Sequence, residues 1–217
     1  MDKEKVVVSF SGGKDSTLAL YRMIKSEYKI IGLIVTFDNP DSSCFHRIPK
    51  EILKEVSKNL EIPLFEVNCY EGKIYEEEFE KALIMAKNKG AEICVFGDID
   101  IEKHKKWGVG RCLNAGIRAE FPLWQENRES ITNEFLDYGF KALIKKVNLK
   151  YLGEEFLGKE LTKELIEKIK SLGSDPCGEN GEYHTIVIDG PIFKKRVQLK
   201  IIDKDIIEDF GYLTISN

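Results

Sequence analysis

The 217-residue sequence lacks a long apolar run and an excess of positive charge. Its most apolar segment, from Lys29 to Phe37, is less than half of the roughly 20 residues that a membrane-spanning helix needs. Lysine and arginine total 33 against 37 aspartate and glutamate residues, so the formal net charge is −4. A chain of this charge has no general field that attracts nucleic acid. We therefore expect no membrane span and no direct nucleic-acid binding.

Cysteines are few, and their spacing is typical of neither a disulfide framework nor a metal site. The five cysteines are widely separated and include no CxxC pair, which argues against a zinc ribbon and a cysteine-ligated cluster. The N-terminal residues carry charges of both signs and do not lead into the apolar segment of a signal peptide. We expect reduced thiols and a cytoplasmic protein, and the sequence leaves a homo-oligomer open.

Short apolar runs alternate with amphipathic segments through the first half of the sequence. Strands are predicted at 6–10, 30–37, 64–67 and 93–96, followed by helices after residue 16 and at 49–60, 74–89 and 102–114. This alternation predicts an α/β fold with a Rossmann-like parallel sheet and helices on both of its faces.

The rhythm of the pattern loosens beyond Ile117. We predict a short strand leading into Pro122, and then a helix at 128–138, a strand at 141–147 and an amphipathic helix around residues 161–172. This order is typical of a smaller α+β unit. The expected division is residues 1–126 and 127–217, and no flexible linker marks it.

The strongest local signal is the hexapeptide from Ser11 to Ser16, which stands between a predicted buried strand and a helix start. Gly12 and Gly13 allow the backbone to approach a ligand closely, and the first amides of a helix favour an anion. Because Val8 stands where a Walker loop needs glycine, the hexapeptide is not a Walker loop, and it also lacks the dinucleotide fingerprint.

The polar residues of the hexapeptide are suited to a metal-bound polyphosphate. Lys14 can neutralise phosphate oxygens, and the hydroxyls of Ser11 and Ser16 can donate hydrogen bonds. Asp15 can hold a bridging Mg²⁺ or cap the helix. The alternative is an ordinary glycine turn with a polar cap, which leaves the lysine unexplained.

Further polar residues follow two other predicted strands. In an open parallel sheet, ligands bind beyond the carboxyl ends of the strands. The residues that we expect there are Thr36, Asp38 and His46 after strand two, suited to adenosine, and Gly97, Asp98 and His104 after strand four. Gly97 allows close approach, and Asp98 can contact ribose or Mg²⁺. Both aspartates also suit ordinary turns and caps, and that alternative stays open.

The segment from Cys177 to Thr185 is the densest cluster of reactive side chains in the second half. It places two carboxylates, a histidine, a hydroxyl and two further glycines between a predicted helix and a predicted strand. A plain solvated glycine loop is the alternative interpretation. Trp124 is a candidate wall of the site.

These motifs together resemble a known enzyme family. The hexapeptide resembles the PP-loop of the N-type ATP pyrophosphatases, in the adenine-nucleotide alpha-hydrolase-like superfamily. The stretches at 97–99, 121–124, 175–185 and 189–191 resemble the diphthine–ammonia ligase family, so the resemblance covers almost the whole chain. It implies cleavage of ATP to AMP and pyrophosphate, adenylation of a carboxylate and amidation by ammonia. The leading substrate that it implies is diphthine on elongation factor two.

The resemblance also assigns roles to the candidate residues. Lys14 and Asp15, with Mg²⁺, would stabilise the departing pyrophosphate, and ammonia would come free or from another protein. A general base must remove a proton from the nitrogen nucleophile, for which Glu179, Glu182 and His184 are the candidates.

Three alternatives remain open at this point. The first is the same chemistry on another carboxylate, for example a corrinoid or a small metabolite. The second is an adenine-nucleotide sensor without turnover. The third is tRNA thiolation with Cys177 as nucleophile, although no second cysteine lies near it in the sequence.

Overall fold

Strands and helices alternate in the first half of the chain. The structure is a computed structural model, and it describes residues 3–217. The elements are β1 (Lys5–Ser9), α1 (Lys14–Lys25), β2 (Lys29–Phe37), α2 (Lys50–Leu60), β3 (Leu64–Asn68), α3 (Tyr75–Asn88), β4 (Ile93–Val95), α4 (Glu102–Ala115) and β5 (Arg118–Glu120). The five strands form one parallel sheet in the order β3-β2-β1-β4-β5. The predicted Rossmann-like sheet is confirmed.

The central strand β1 explains why both faces of this sheet are covered. Val6 and Val8 pack on one face with apolar residues of α1 and α2, whereas Val7 packs on the other with residues of α3 and α4. All three valines are fully buried. Because successive side chains of a strand point to opposite faces, a continuous apolar run requires a layer on each side.

The second half of the chain forms a smaller antiparallel sheet. Its elements are α5 (Arg128–Asp137), β6 (Lys141–Asn148), α6 (Lys163–Ser171), β7 (Tyr183–Asp189), β8 (Lys200–Ile207) and β9 (Phe210–Ser216). The strand order is β7-β6-β9-β8. The predicted α+β character is confirmed, and the hairpin of β8 and β9 is an addition that the sequence pattern did not predict.

One apolar core runs between the two sheets. Phe135 stacks on Phe140 with ring centroids 5.0 Å apart, and Tyr21 of α1 meets Phe140 edge-on at 5.3 Å. The same core contains Leu18 and Leu213. Because the halves share this core, the division into 1–126 and 127–217 stays a prediction. Among the described residues, every helix is too short or too polar to span a bilayer.

The end of β4 approaches the first turn of α1 very closely at Gly97. A Cβ atom on Gly97 would lie 2.8 Å from the backbone nitrogen of Ser16 and 2.9 Å from the carbonyl carbon of Asp15. Real Cβ atoms are not found that close to backbone atoms. Gly97 therefore lets the loop after β4 lie directly against the start of α1.

We predict that Gly97→Ala lowers the free energy of unfolding by about 1 to 3 kcal/mol, since the added methyl group forces backbone apart. The matched control is Gly110→Ala in α4, where a Cβ meets nothing within 4 Å. In a helix that control should raise stability by about 0.5 to 1 kcal/mol. Urea denaturation measures both, and equal stability of Gly97→Ala and wild type would contradict the close approach.

Candidate active site

A cleft of about 730 Å³ opens at the carboxyl edge of the parallel sheet, where the second sheet meets it. Ten of the residues expected from the sequence line this cleft: Ser11, Lys14, Asp15, Ser16, His46, Gly97, Asp98, His104, Glu179 and His184. The structure therefore brings together the hexapeptide, the two strand-end loops and the segment from Cys177 to Thr185.

The expected residues that do not line the cleft are Gly12, Gly13, Thr36, Asp38, Glu182 and Trp124. Asp38 is exposed and accepts a hydrogen bond from Asn39 Nδ2 at 2.8 Å. Thr36 accepts a hydrogen bond at its carbonyl from the Cys44 amide at 2.9 Å. Glu182 and Trp124 are described below. The expected contacts of Thr36 and Asp38 with adenosine stay predictions.

The hexapeptide is organised by its own serines. The hydroxyls of Ser11 and Ser16 lie 3.1 Å apart, and the Gly13 amide donates to Ser11 Oγ at 3.2 Å. Gly12 has a φ of 80°, in the left-handed region that favours glycine. At least part of the expected anion cradle is therefore already engaged within the protein.

The hexapeptide also docks onto strand β7. The Lys14 amide donates to Thr185 Oγ1 at 3.0 Å, and the Val187 amide donates to the carbonyl of Gly12 at 2.9 Å. The Lys14 ammonium binds both oxygens of Asp15, at 2.9 and 2.8 Å, and the carbonyl of Cys177. Burial lowers the pKa of Lys14, but Asp15 and other neighbours raise it well above its ordinary value. Lys14 is thus a cation that joins the two halves.

Three carboxylates, Asp15, Asp98 and Glu179, line the cleft. Burial and the neighbouring Asp15 raise the pKa of Glu179 to about 7. Burial likewise raises the pKa of Asp98, against the effect of His104, whose Nδ1 lies 3.2 Å from its carboxylate. Ligand atoms of Asp15, Cys177 and Glu179 all lie within 4.8 Å of one another. This group could hold a divalent cation.

Glu182, expected as a candidate base, is instead a support for its own loop. Its side chain is 2% exposed and accepts hydrogen bonds from the Asp175 amide at 3.2 Å and from the amide and side chain of Asn180 at 3.0 and 3.1 Å. The reversed backbone at Gly181, with a φ of 87°, precedes this inward turn. Glu182 fixes the loop on which Glu179 stands.

Arg128, which the sequence analysis missed, connects that loop to the first sheet. Its guanidinium binds both carboxylate oxygens of Asp100 at 2.7 Å, and it also contacts the carboxylate of Asp175. Asp175 in turn accepts hydrogen bonds from the amides of Cys177 at 2.9 Å and Glu179 at 3.2 Å. The arginine therefore fixes Glu179 relative to the loop that carries Asp98.

Two histidines from different halves meet at the cleft. The rings of His46 and His184 lie 4.6 Å apart. Burial lowers the pKa of His184 to about 4, and burial together with His184 lowers the pKa of His46 well below its usual range. Both rings are therefore neutral at pH 7. An imidazole with so low a pKa is a weak base.

An aromatic wall was also missed by the sequence analysis. Tyr75, at the start of α3, stacks on Trp107 of α4 with centroids 5.0 Å apart and planes 14° from parallel, and both line the cleft. Trp124, the expected wall, lies outside the lining, beneath the ammonium of Lys105 at 4.2 Å. The available signal was the position of Trp107 on the helix that follows Asp98.

The fold and site define a Rossmann-like α/β protein with a PP-loop at one wall of a mixed carboxylate and aromatic cleft. The family model of the diphthamide synthase N-terminal domain matches residues 4–119, and that of the diphthamide synthase C-terminal domain matches residues 127–217. The chain belongs to the diphthamide synthase family.

Individual relatives agree with the family models. Proteins named diphthine–ammonia ligase from Schizosaccharomyces pombe, Rattus norvegicus and Homo sapiens are each 26% identical to this chain. The alignments cover 94%, 98% and 89% of this chain, respectively. They cover 37% of the yeast protein but 91% of the rat protein and 82% of the human protein. The chain thus spans well under half of the yeast relative.

We predict that Cys177 resists alkylation in the folded protein although it lines the cleft. Its side chain is 1% exposed, and burial raises the pKa of its thiol to about 12, so almost no thiolate is present at pH 8. Iodoacetamide labelling followed by mass spectrometry should find Cys177 modified only after unfolding. Labelling at the rate of a free thiol would contradict this and would favour a nucleophilic role.

We predict that His184 makes folding less favourable in acid. Its pKa falls from the ordinary 6.5 to about 4 on folding, so the unfolded chain binds the extra proton between these values. Stability from the neutral ring is therefore complete above pH 6.5 and is lost as the pH falls towards 4. The raised pKa of Glu179 has the opposite effect on the pH dependence of stability. The contribution of His184 is therefore measured as the difference between a His184 variant and wild type.

Thermal unfolding at pH 7 and pH 5 measures this effect. His184→Gln should lose less stability over that interval than wild type. Equal losses in the two proteins would contradict the lowered pKa of His184.

Proposed function

We propose that this chain is an AMP-forming ligase that activates a carboxylate with ATP and amidates it with ammonia, acting on diphthine of elongation factor two. The observation that carries the proposal is the meeting of the PP-loop, Asp98 and Glu179 in one cleft. The family membership and the names of the relatives support the same reaction.

ATP would bind with its phosphates at the PP-loop and its base towards the aromatic wall. The hydroxyls of Ser11 and Ser16 and the ammonium of Lys14 line the cleft beside the start of α1, whose dipole favours negative charge. The pair of Tyr75 and Trp107 offers a flat apolar surface for a purine ring. The cleft volume of about 730 Å³ is ample for a nucleotide.

Mg²⁺ fits the acidic side of the cleft. Carboxylate oxygens are the ligands that Mg²⁺ prefers, and Asp15, with Asp98 nearby, would hold it. When bound, the ion supplies positive charge to the polyphosphate. The thiol of Cys177 is a poor ligand for so hard a cation.

Glu179 is the best placed of the three candidate bases. Its carboxyl lines the cleft, and a pKa of about 7 lets it accept a proton near neutral pH. Glu182 is engaged by three donors in its loop, and the low pKa of His184 makes its ring a weak acceptor. We therefore assign the removal of a proton from the attacking ammonia nitrogen to Glu179.

The thiolation alternative finds little support in the cleft. Within residues 3–217, Cys177 is the one cysteine that lines it, and its thiol is buried. Sulfur transfer commonly uses two cysteines. Another carboxylate substrate, such as a corrinoid, remains an outcome of the experiments.

We predict that Glu179→Gln separates the two half-reactions. Glutamine keeps the size of the side chain but cannot accept the proton, so amide formation should fall about 10² to 10⁴-fold. The exchange of labelled pyrophosphate into ATP in the presence of the carboxylate should stay within a few-fold of wild type. The exposed Glu71→Gln is the control and should change neither rate.

The two readouts distinguish the outcomes. Amidation by Glu179→Gln at the wild-type rate would remove the proposed base. Loss of both rates would assign Glu179 to nucleotide or metal binding instead. Nucleotide binding without exchange in wild type would favour the sensor.

A further inference from the structure

A second, smaller pocket lies on the antiparallel sheet, where the segment before α2 crosses it. Its volume is about 110 Å³, and it is lined by Arg47, Pro49, Lys145, Asp205, Ile207, Tyr212, Thr214 and Ile215. At about 30 Å³ per water, this is room for three or four water molecules. The pocket suits a small ion and is too small for a nucleotide.

Lys145 is the unusual member of this lining. Its side chain is 2% exposed, and it stands in β6 at an irregularity of the pairing with β7, between Ile144 and Lys146. Within residues 3–217 its ammonium has no ion pair within 4 Å and no hydrogen bond. A buried charge without a partner is costly, and the charged side chains that proteins bury are normally paired.

The charges around Lys145 do not compensate it. Burial, followed by the repulsion of Arg47, lowers the pKa of Lys145 to about 8. Asp205 is the one acidic residue of the lining, and its carboxylate already accepts a hydrogen bond from the Thr214 hydroxyl. Two cations against one carboxylate leave the pocket with an uncompensated positive charge.

The second cation of the pocket, Arg47, contacts an aromatic ring. The guanidinium of Arg47 lies over the ring of Tyr212, with its central carbon 4.1 Å from the centroid, and it makes no carboxylate ion pair within residues 3–217. The contact with the ring fixes the guanidinium without using its forked donors. Those donors suit a phosphate or carboxylate group.

We infer that this pocket binds a small oxyanion of the phosphate or carboxylate type between Lys145 and Arg47. The inference does not depend on the proposed ligase activity, because none of the pocket residues lines the cleft. The two places are joined by one short segment, since Phe45 and His46 line the cleft and Arg47 lines the pocket.

Inorganic phosphate and acetate are the probes, and amide chemical shifts of the labelled full chain are the readout. Amides of the PP-loop are followed in the same titrations, so that anion binding there is seen separately. We expect saturable shifts at Tyr212, Thr214 and Ile215 with at least one probe.

Lys145→Met is the test variant. It should fold at least as stably as wild type without phosphate, since a methionine of similar length replaces an unpaired buried charge. Its affinity for the anion, read at Thr214, should fall at least about tenfold. The matched control Lys141→Met changes a half-exposed lysine of the same strand, paired with Glu160, and should bind as wild type does.

Two results would overturn the inference. One is the absence of saturable shifts at these three amides with either probe. The other is an unchanged affinity in Lys145→Met. Because the amides report the pocket directly, neither result depends on whether the chain binds ATP or forms an amide.

Discussion

The structure of the cleft depends on the docking of the PP-loop onto strand β7. Thr185 accepts the amide of Lys14, the Gly12 carbonyl accepts the amide of Val187, and the buried Lys14 ammonium reaches the carbonyl of Cys177. These contacts connect residues more than 160 positions apart in the sequence. They fix the position of the segment after Cys177 relative to the PP-loop.

Charge balance is the second constraint on the cleft. Asp15, Asp98 and Glu179 repel one another at close range, and burial raises the cost of their charge. Lys14 offsets this from within the cleft, and Arg128 holds the supporting loops through Asp100 and Asp175. As a result, the pKa of Glu179 is about 7. This value suits proton transfer near neutral pH.

Much of the fold could be predicted from the sequence, because the continuous apolar run of Val6 to Val8 requires a sheet covered on both faces. The cleft residues at the strand ends followed from the same topology. The sequence did not show which of Glu179 and Glu182 faces the cleft, because this depends on the turn at Gly181. Trp107 and Arg128 were missed because their roles arise from packing between distant segments. Strand β8 was missed because its isoleucines occur in adjacent pairs and do not alternate with polar residues.

The most direct test of the proposed activity is an analysis of nucleotide products with ATP, Mg²⁺ and ammonium, with and without elongation factor two that carries diphthine. The account predicts AMP and pyrophosphate, formed in proportion to the amidated factor and only in its presence. Formation of ADP and phosphate, or amidation of the factor without any AMP, would contradict the account.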